Sequence, residues 1–239
     1  MSAALDLLKA SKTKALALVS LAQLEGDGGL SPGLSLSWPE LEGVLPDRGL
    51  PRGVVELACA RGLGGATGVA LAAVRGGQAK AEGAWCAWLD PEGSLYAPGV
   101  AKAEVDLQRL LVVRPPRKDL AEVAVKLVQS HAFEVIVIDH TPPALVKPET
   151  ARALPHARSR SRQLRPEVLV RKLALLAEDA GATVVLLTDA AEPRPMPWPV
   201  ALRIELSRSP GALMVKITKD RFCRLATAKV AWPARALAG

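Results

Sequence analysis

Aromatic side chains are scarce in this sequence of 239 residues. They make up 3% of the chain, and tyrosine occurs only once. Antiparallel β-sandwiches and platforms that stack nucleic-acid bases both depend on aromatic residues, so the composition disfavours these two classes. Hydrophobic residues make up 49% of the chain, with alanine, leucine and valine prominent among them. This combination favours helices packed on buried parallel strands.

Long hydrophobic runs and clustered metal or disulfide ligands are also missing. No apolar stretch approaches the roughly 18 residues that a membrane span needs, and the mean hydropathy is only +0.18. The three cysteines, Cys59, Cys86 and Cys223, lie far apart, which argues against a zinc site and against a disulfide framework. The histidines show no metal-ligand spacing either. We therefore expect a protein of the reducing cytoplasm with no metal site.

The positive charge is concentrated in one stretch of the chain. The formal net charge is +7, and residues 147–172 contain eight basic residues against two acidic ones. Alternating small residues and flanking prolines predict an exposed loop around Arg160. Arginine matches phosphate oxygens, so we expect this loop to contact a polyanion, with nucleic-acid phosphate as the leading candidate. The alternative is a solvated loop without a specific partner. The predicted DNA-binding residues are Arg152, Arg158, Arg160, Arg162 and Arg165.

Strands and helices alternate regularly from Gly53 onwards. Apolar runs bounded by glycine, proline and aspartate predict strands, and apolar residues at helical spacing predict helices. The last third contains three strand-like runs without intervening helices, which indicates an antiparallel extension of a mostly parallel sheet. A helix over 2–24 and a Gly/Pro-rich connector precede the core, so we predict domains at 1–44 and 45–239. The predicted strands are 54–58, 84–89, 110–113, 135–138, 183–187, 201–206, 213–218 and 227–232, and the predicted helices of the core are 65–79, 118–131 and 166–179.

A glycine-rich turn follows the first of these strands. Glycines before a helix allow backbone N–H groups to approach a phosphate, and the candidate nucleotide-pocket residues here are Gly62, Gly64, Gly65 and Thr67. A phosphate-binding loop reads GxxxxGK[ST], but neither register of this turn contains the lysine. Two other interpretations remain open. One is a weak dinucleotide fingerprint with Asp90 as ribose ligand, and the other is a tight turn that needs glycine only for packing.

The order of several motifs resembles the core of the RecA-like superfamily. The resemblance covers about residues 45–233, and the missing lysine makes the chain most similar to the ImuA family of accessory proteins in bacterial mutagenic translesion synthesis. It implies an α/β fold with a mostly parallel central sheet flanked by helices. The motifs in chain order are Leu50–Leu57, the glycine-rich turn, Trp88–Glu92, Val105–Leu107, Val135–Asp139 and Val215–Arg221.

The resemblance also implies roles for individual residues. Glu92 falls on the glutamate that activates water, and Asp139 on the acidic residue that supports magnesium. Tyr96 falls on the tyrosine that packs on adenine, whereas Lys219 and Arg221 fall on the pair that reaches the nucleotide of a neighbouring subunit. Segment 146–165 takes the place of the first DNA-binding loop. Asp139, Glu92 and Tyr96 also have ordinary structural interpretations, as a turn cap, a solvated loop residue and a packing residue.

Departures from the RecA pattern bear on the expected function. The strand ending in Asp189 lacks the sensor glutamine, and a proline-rich connector over 190–200 replaces the longer second DNA-binding loop. We therefore expect a catalytically eroded DNA-repair accessory protein of the SOS response, associated with the nucleoid, in which ATP and magnesium are doubtful. A DNA-dependent ATPase with an atypical loop is the alternative. A nicotinamide-dependent enzyme conflicts with the β-rich last third.

The resemblance further implies a set of partners. The first is a relative of the Y-family polymerases similar to ImuB, and through it the error-prone DNA polymerase III alpha-type subunit. RecA and single-stranded DNA are further candidates, and the N-terminal helix is expected to mediate self-association as a homo-oligomer or partner docking. No membrane partner is expected.

Overall fold

The fold is described from a computed structural model that covers residues 33–60, 65–140, 166–191 and 198–233. These ranges belong to one compact unit within residues 33–239. The helix expected over 2–24 lies outside the described residues. The domain boundary at residue 44 stays a prediction.

Eight strands in the described part of the chain form a single sheet. Their order is β3-β2-β4-β5-β1-β6-β7-β8. Strands β1 to β6 run parallel, whereas β7 is antiparallel to β6 and β8 is antiparallel to β7. This arrangement confirms the predicted RecA-like class of a mostly parallel sheet with an antiparallel extension. The strands are β1 (Gly53–Cys59), β2 (Trp85–Leu89), β3 (Leu110–Val113), β4 (Phe133–Asp139), β5 (Thr183–Asp189), β6 (Leu202–Ser209), β7 (Ala212–Asp220) and β8 (Ala226–Ala231).

Helices cover both faces of the sheet. On one face, α1 and α2 pack in a cluster that includes Trp38, Val69 and Val215. On the other face, α4 and α5 pack in a second cluster that includes Val128, Leu173 and Val184. The central strands are apolar on both faces because both faces are covered. The helices are α1 (Pro39–Glu42), α2 (Ala66–Lys80), α3 (Ala97–Lys102), α4 (Leu120–Gln129) and α5 (Pro166–Ala180), with single 3-10 turns at Leu107–Arg109 and Arg117–Asp119.

The elements predicted for residues 54–232 are present with small shifts at their ends. The helix predicted over 118–131 is shorter, since a 3-10 turn at Arg117–Asp119 precedes α4. Helices α1 and α3 were not predicted from the sequence. They have four and six residues, and each has a proline in its first turn. Such short segments do not display the 3.6-residue periodicity on which the prediction depends.

The segment before β1 is packed into the body of the protein. Leu36, Trp38 and Leu41 are buried, and the Trp38 indole N–H donates a hydrogen bond to the Ala231 carbonyl at 3.0 Å. The backbone of Ser35 also lies so close to Gly76 of α2 that a Cβ at that glycine would fall 1.8 Å from the Ser35 carbonyl oxygen. The second half of the Gly/Pro-rich connector thus contributes to the core.

None of the helices within the described ranges has both the length and the hydrophobicity needed to cross a bilayer.

None of the three cysteines is in a disulfide, and their environments differ. Cys86 is completely buried on β2, and burial raises the pKa of its thiol to about 12. Cys59 is half-buried and Cys223 is exposed. Because the thiolate is the reactive form, these environments predict three different reactivities.

We expect a thiol reagent at pH 8 to modify Cys223 first, Cys59 more slowly, and Cys86 only after the protein unfolds. Counting modified thiols over time in native and denatured protein measures this order. The Cys223→Ser variant serves as a control, since it should lack the fast phase. Fast modification of Cys86 in the native protein would contradict the described core.

Candidate functional site

The carboxyl ends of four neighbouring parallel strands meet at one edge of the sheet. Here β1 ends at Cys59, β4 at Asp139 and β5 at Asp189, while Asp90 directly follows β2. In open α/β sheets this edge is where ligands bind. We call it the carboxyl edge and the other edge the amino edge.

The first turn of α2 lies at the carboxyl edge, where a phosphate-binding loop would place its phosphate. Gly65 precedes α2 with a φ of 74°, a conformation that favours glycine. A Cβ at Gly65 would lie 2.6 Å from the Trp232 ring, and one at Gly68 would lie 3.3 Å from the same ring. Thr67 is exposed, whereas Gly62 and Gly64 lie outside the described residues.

The Trp232 side chain is held in this position by two other residues. Its ring centroid lies 5.5 Å from that of Trp38, and the Arg208 guanidinium lies 5.4 Å above it. Such aromatic and cation–π contacts fix the ring at the start of α2. In one alignment of the GxxxxGK[ST] pattern with the glycine-rich turn, the phosphate-binding lysine of the pattern falls on Gly65. A phosphate-binding loop holds ATP and magnesium with the help of its lysine. The residues here do not fit these ligands in that way, because the sequence lacks the lysine and the Trp232 ring fills the space of a Cβ at residue 65.

Glu92 lies in the loop after β2, at the carboxyl edge. Its carboxylate forms an ion pair with Arg117. The loop is shaped by buried Asp90, which accepts hydrogen bonds from the backbone N–H groups of Ser94 and Leu95 at 2.9 and 3.0 Å. Asp90 therefore acts as the cap of this turn. This capping role is an alternative to the contact with a ribose that the weak dinucleotide fingerprint suggested for Asp90.

Asp139 is half-buried at the end of β4, the strand that pairs with β2. The structure thus brings Asp139 and Glu92 to neighbouring strand ends. Tyr96, in contrast, is 71% exposed. It precedes α3, where its carbonyl accepts a hydrogen bond from the Val100 N–H at 3.1 Å.

Arg221 lies at the amino edge, where its N–H donates to the carbonyl of Ala201. Lys219 faces Arg203 of β6, which in turn faces Glu56 in the middle of β1. Strand β7, which ends in Asp220, lies four strand positions from β4, which ends in Asp139, so about 19 Å separate these two strands across the sheet at 4.8 Å per strand. Within one copy of the chain, this pair is therefore separate from Glu92 and Asp139.

Both basic side chains, Lys219 and Arg221, have partners within the chain. Lys219 donates a hydrogen bond to the Trp198 carbonyl at 2.5 Å, and Arg221 contacts the Glu178 carboxylate at 2.5 Å. Burial lowers the pKa of Lys219, and the charge of Glu56 partly opposes this shift. These contacts give both residues a structural role in addition to any role toward a ligand.

A rigid turn follows Arg221. The Asp220 carboxylate accepts hydrogen bonds from the backbone N–H groups of Phe222 and Arg224 and from the Arg224 guanidinium, and Arg224 also pairs with Asp47. Burial alone raises the pKa of Asp220, but the hydrogen bonds from Arg224 and Phe222 and the charge of Arg224 together outweigh burial and leave the pKa below its usual value. The turn fixes the backbone on which Arg221 lies.

Sequence reasoning missed a buried polar network in the middle of the sheet. Glu56 of β1 is 1% exposed, and it accepts hydrogen bonds from the Thr188 hydroxyl at 2.7 Å and from Arg203 at 3.3 Å. Its carboxylate interrupts the apolar run of β1, and that interruption is the signal that could have revealed it. A buried carboxylate needs such partners, and removing one partner is costly.

Comparisons with known proteins give the family of the chain. Residues 43–172, more than half of the sequence, match the family model described as the MT3502 N-terminal domain. The chain belongs to the MT3502 N-terminal domain family. Its β1, the glycine-rich turn, Glu92 and Asp139 all lie within the part that defines the family.

This family member is also similar to RecA proteins. It is 34% identical to Protein RecA of Cutibacterium acnes over 149 residues, which cover 60% of this chain and 41% of that protein. It is 32% identical to Protein RecA of Bartonella quintana over 177 residues, which cover 64% of this chain and 50% of that protein. The chain therefore spans half or less of the length of these curated relatives. The matches support a RecA-like relationship, in agreement with the fold.

We expect Gly65→Ala to destabilise the protein more than Gly83→Ala does. Both glycines have a positive φ, but apart from its chain neighbours no atom of the described residues lies within 4 Å of a Cβ at Gly83. The positive φ costs alanine roughly 1–2 kcal/mol at either position, and the clash with Trp232 adds about 1–3 kcal/mol at Gly65 alone. Thermal or urea unfolding of the two variants measures the difference.

The Trp232→Ala background separates the two contributions. In this background the excess cost at Gly65 should disappear, and only the cost of the positive φ should remain. Equal destabilisation by the two alanines in the wild-type background would contradict the close packing of Trp232 on α2.

Proposed function

We propose that the chain is a RecA-like accessory protein of DNA repair that has lost nucleotide hydrolysis and acts by binding protein partners and single-stranded DNA. The observation that carries this proposal is the packing of Trp232 on Gly65, together with a glycine-rich turn that lacks lysine. The RecA-like relationship supports the connection with DNA. The loss of the lysine removes the point charge on which phosphoryl transfer depends.

More specifically, we propose that the protein acts in SOS-type mutagenic translesion synthesis, as members of the ImuA family do. The proposed partners are an ImuB-like relative of the Y-family polymerases, the error-prone DNA polymerase III alpha-type subunit through that relative, and RecA. This assignment rests on the resemblance of the ordered motifs and on the departures from RecA at 190–200. It places the protein at the nucleoid.

Binding of single-stranded DNA is proposed from the distribution of charge. The basic stretch begins at Lys147 and continues into α5, where Arg171 and Lys172 are exposed. The five proposed DNA-binding arginines between 152 and 165 lie outside the described residues. Their sequence positions lie between the end of β4 and the start of α5, so the chain on either side of them leads to the carboxyl edge.

A DNA-dependent ATPase remains the second candidate function. One observation favours it: Glu92 and Asp139 occupy neighbouring strand ends at the carboxyl edge. The two candidates differ in what happens to ATP when DNA is present, and a direct measurement of hydrolysis separates them.

We expect ATP turnover by the pure protein to be negligible, both with and without single-stranded DNA. Phosphate release measured over hours checks this expectation. The Glu92→Gln variant distinguishes genuine turnover from contamination, since it removes the carboxylate that would activate water. DNA-stimulated turnover that is lost in Glu92→Gln would establish the ATPase and refute the eroded site.

We expect alanine at Arg158, Arg160, Arg162 and Arg165 to weaken binding of single-stranded DNA to a similar extent for all base sequences, because phosphate contacts carry no sequence information. Each phosphate contact on a single strand contributes about −0.7 to the slope of log K against log salt. The loss of four contacts should therefore flatten the slope by roughly 3 units. Fluorescence anisotropy across a salt titration measures it.

A matched control removes four positive charges elsewhere on the protein. Arg48, Arg52, Lys102 and Lys229 are all exposed, and replacing them with alanine changes the net charge by the same amount. This variant should keep the wild-type slope. If both variants flatten the slope equally, the effect is one of net charge, and the basic stretch is not the DNA-binding element.

A further inference from the structure

A cavity of about 700 Å³ lies between the first turns of α4 and α5, on the face of the sheet opposite to α2. The ends of β4 and β5 and Trp198, before β6, also line it. Its size falls in the range of small-molecule binding sites. Most of the described lining residues are apolar and belong to the second core cluster, among them Leu120, Val125, Ile138, Leu173, Leu186 and Trp198.

The open side of the cavity is charged. The exposed residues Arg117, Lys118, Glu122 and Lys172 line it, together with Asp119. Arg117 is paired with Glu92, and Glu122 is paired with Lys126. Within the described ranges, no carboxylate pairs with Lys118 or Lys172. The cavity therefore combines an apolar interior with two ammonium groups at its mouth.

The basic stretch of the sequence is attached to this cavity at both ends. His140 and Pro166 line the cavity, and the chain between them contains six basic residues and one acidic residue. A polyanion drawn to these residues is thereby brought to the mouth of the cavity. A ligand that suits both features has a phosphate backbone and flat, weakly polar rings.

We propose that this cavity is a pocket for an unpaired base of single-stranded DNA, with Lys118 and Lys172 contacting the adjacent phosphates. The proposal rests on the proposed binding of single-stranded DNA and adds a site for the bases. A base in an apolar pocket gains from dispersion and from leaving water, as stacked bases do. The pocket is distinct from the glycine-rich turn, since α2 packs on the other face of the sheet.

The test compares two oligonucleotides of equal length, one with bases and one in which every base is missing. Both carry the same phosphates, so contacts to phosphate alone bind them equally. We expect wild-type protein to bind the oligonucleotide with bases about tenfold more tightly, which is the range for one stacked base. Fluorescence anisotropy at fixed salt gives both affinities.

Two variants fill the cavity without changing the charge. Ala121 and Leu169 line it and are half-buried, and Ala121→Trp and Leu169→Trp are tested separately so that a folding defect in one does not affect the other. Each folded variant should lose the preference for bases and bind the abasic oligonucleotide as wild type does. The Lys118→Ala/Lys172→Ala variant should bind both oligonucleotides more weakly, whereas Lys102→Ala, at an exposed position on α3, should not.

The outcomes separate this proposal from the proposed function. Equal wild-type affinity for the two oligonucleotides would overturn the base pocket while leaving phosphate-directed DNA binding intact. A preference for bases that survives in folded Ala121→Trp and Leu169→Trp would also overturn it. Failure of wild-type protein to bind either oligonucleotide would overturn both proposals.

Discussion

The contact between the Trp232 ring and the first turn of α2 is the constraint on which the rest of the site depends. It needs glycine at positions 65 and 68, because a Cβ at either position would meet the ring. The same region joins the two ends of the described chain. The Trp38 ring lies against the Trp232 ring, and the Trp38 indole N–H donates a hydrogen bond to the carbonyl of Ala231. The Trp232 ring thus occupies the space that a Cβ at residue 65 would need. The packing of the Trp232 ring on Gly65 is consistent with a glycine-rich turn that lacks the lysine.

The two edges of the sheet have different chemistry. The carboxyl edge holds Glu92 and Asp139, the cavity beside Trp198 and the attachment points of the basic stretch. At the amino edge Arg221 contacts Glu178 of the same chain. Lys219 lies level with Glu56 in the middle of β1, and the charge of Glu56 acts on it. Lys219 also bonds to the carbonyl of Trp198, which lines the cavity, so of the two basic residues only Arg221 lies at the amino edge.

The family match covers residues 43–172, and neither it nor the relationship with RecA gives direct information on activity. The structure shows the sheet, with carboxylates at neighbouring strand ends. The glycine-rich turn differs from the GxxxxGK[ST] pattern in lacking the lysine. A binding role is compatible with this difference, because it needs the scaffold and the charged surface but not the transfer of a phosphoryl group.

The order and type of the main elements could be predicted from the sequence because the signals are local. Val135–Ile138 is an apolar run that forms a buried strand whatever follows it, and the three strands of the last third are marked by the absence of helical spacing between them. The missing lysine, the basic stretch and the carboxylates at strand ends are likewise visible in the sequence. Short elements such as α3 were missed because six residues give no periodicity.

The contacts between distant residues were decided only by the tertiary structure. Gly65 is compatible with a phosphate loop or with close packing, and only the position of Trp232, far along the chain, distinguishes the two. Glu56, Thr188 and Arg203 come from three different strands, and the cavity has walls from two helices and the ends of two strands. Such arrangements depend on the order of strands in the sheet and on the face that each helix covers, which local patterns of hydrophobicity do not encode.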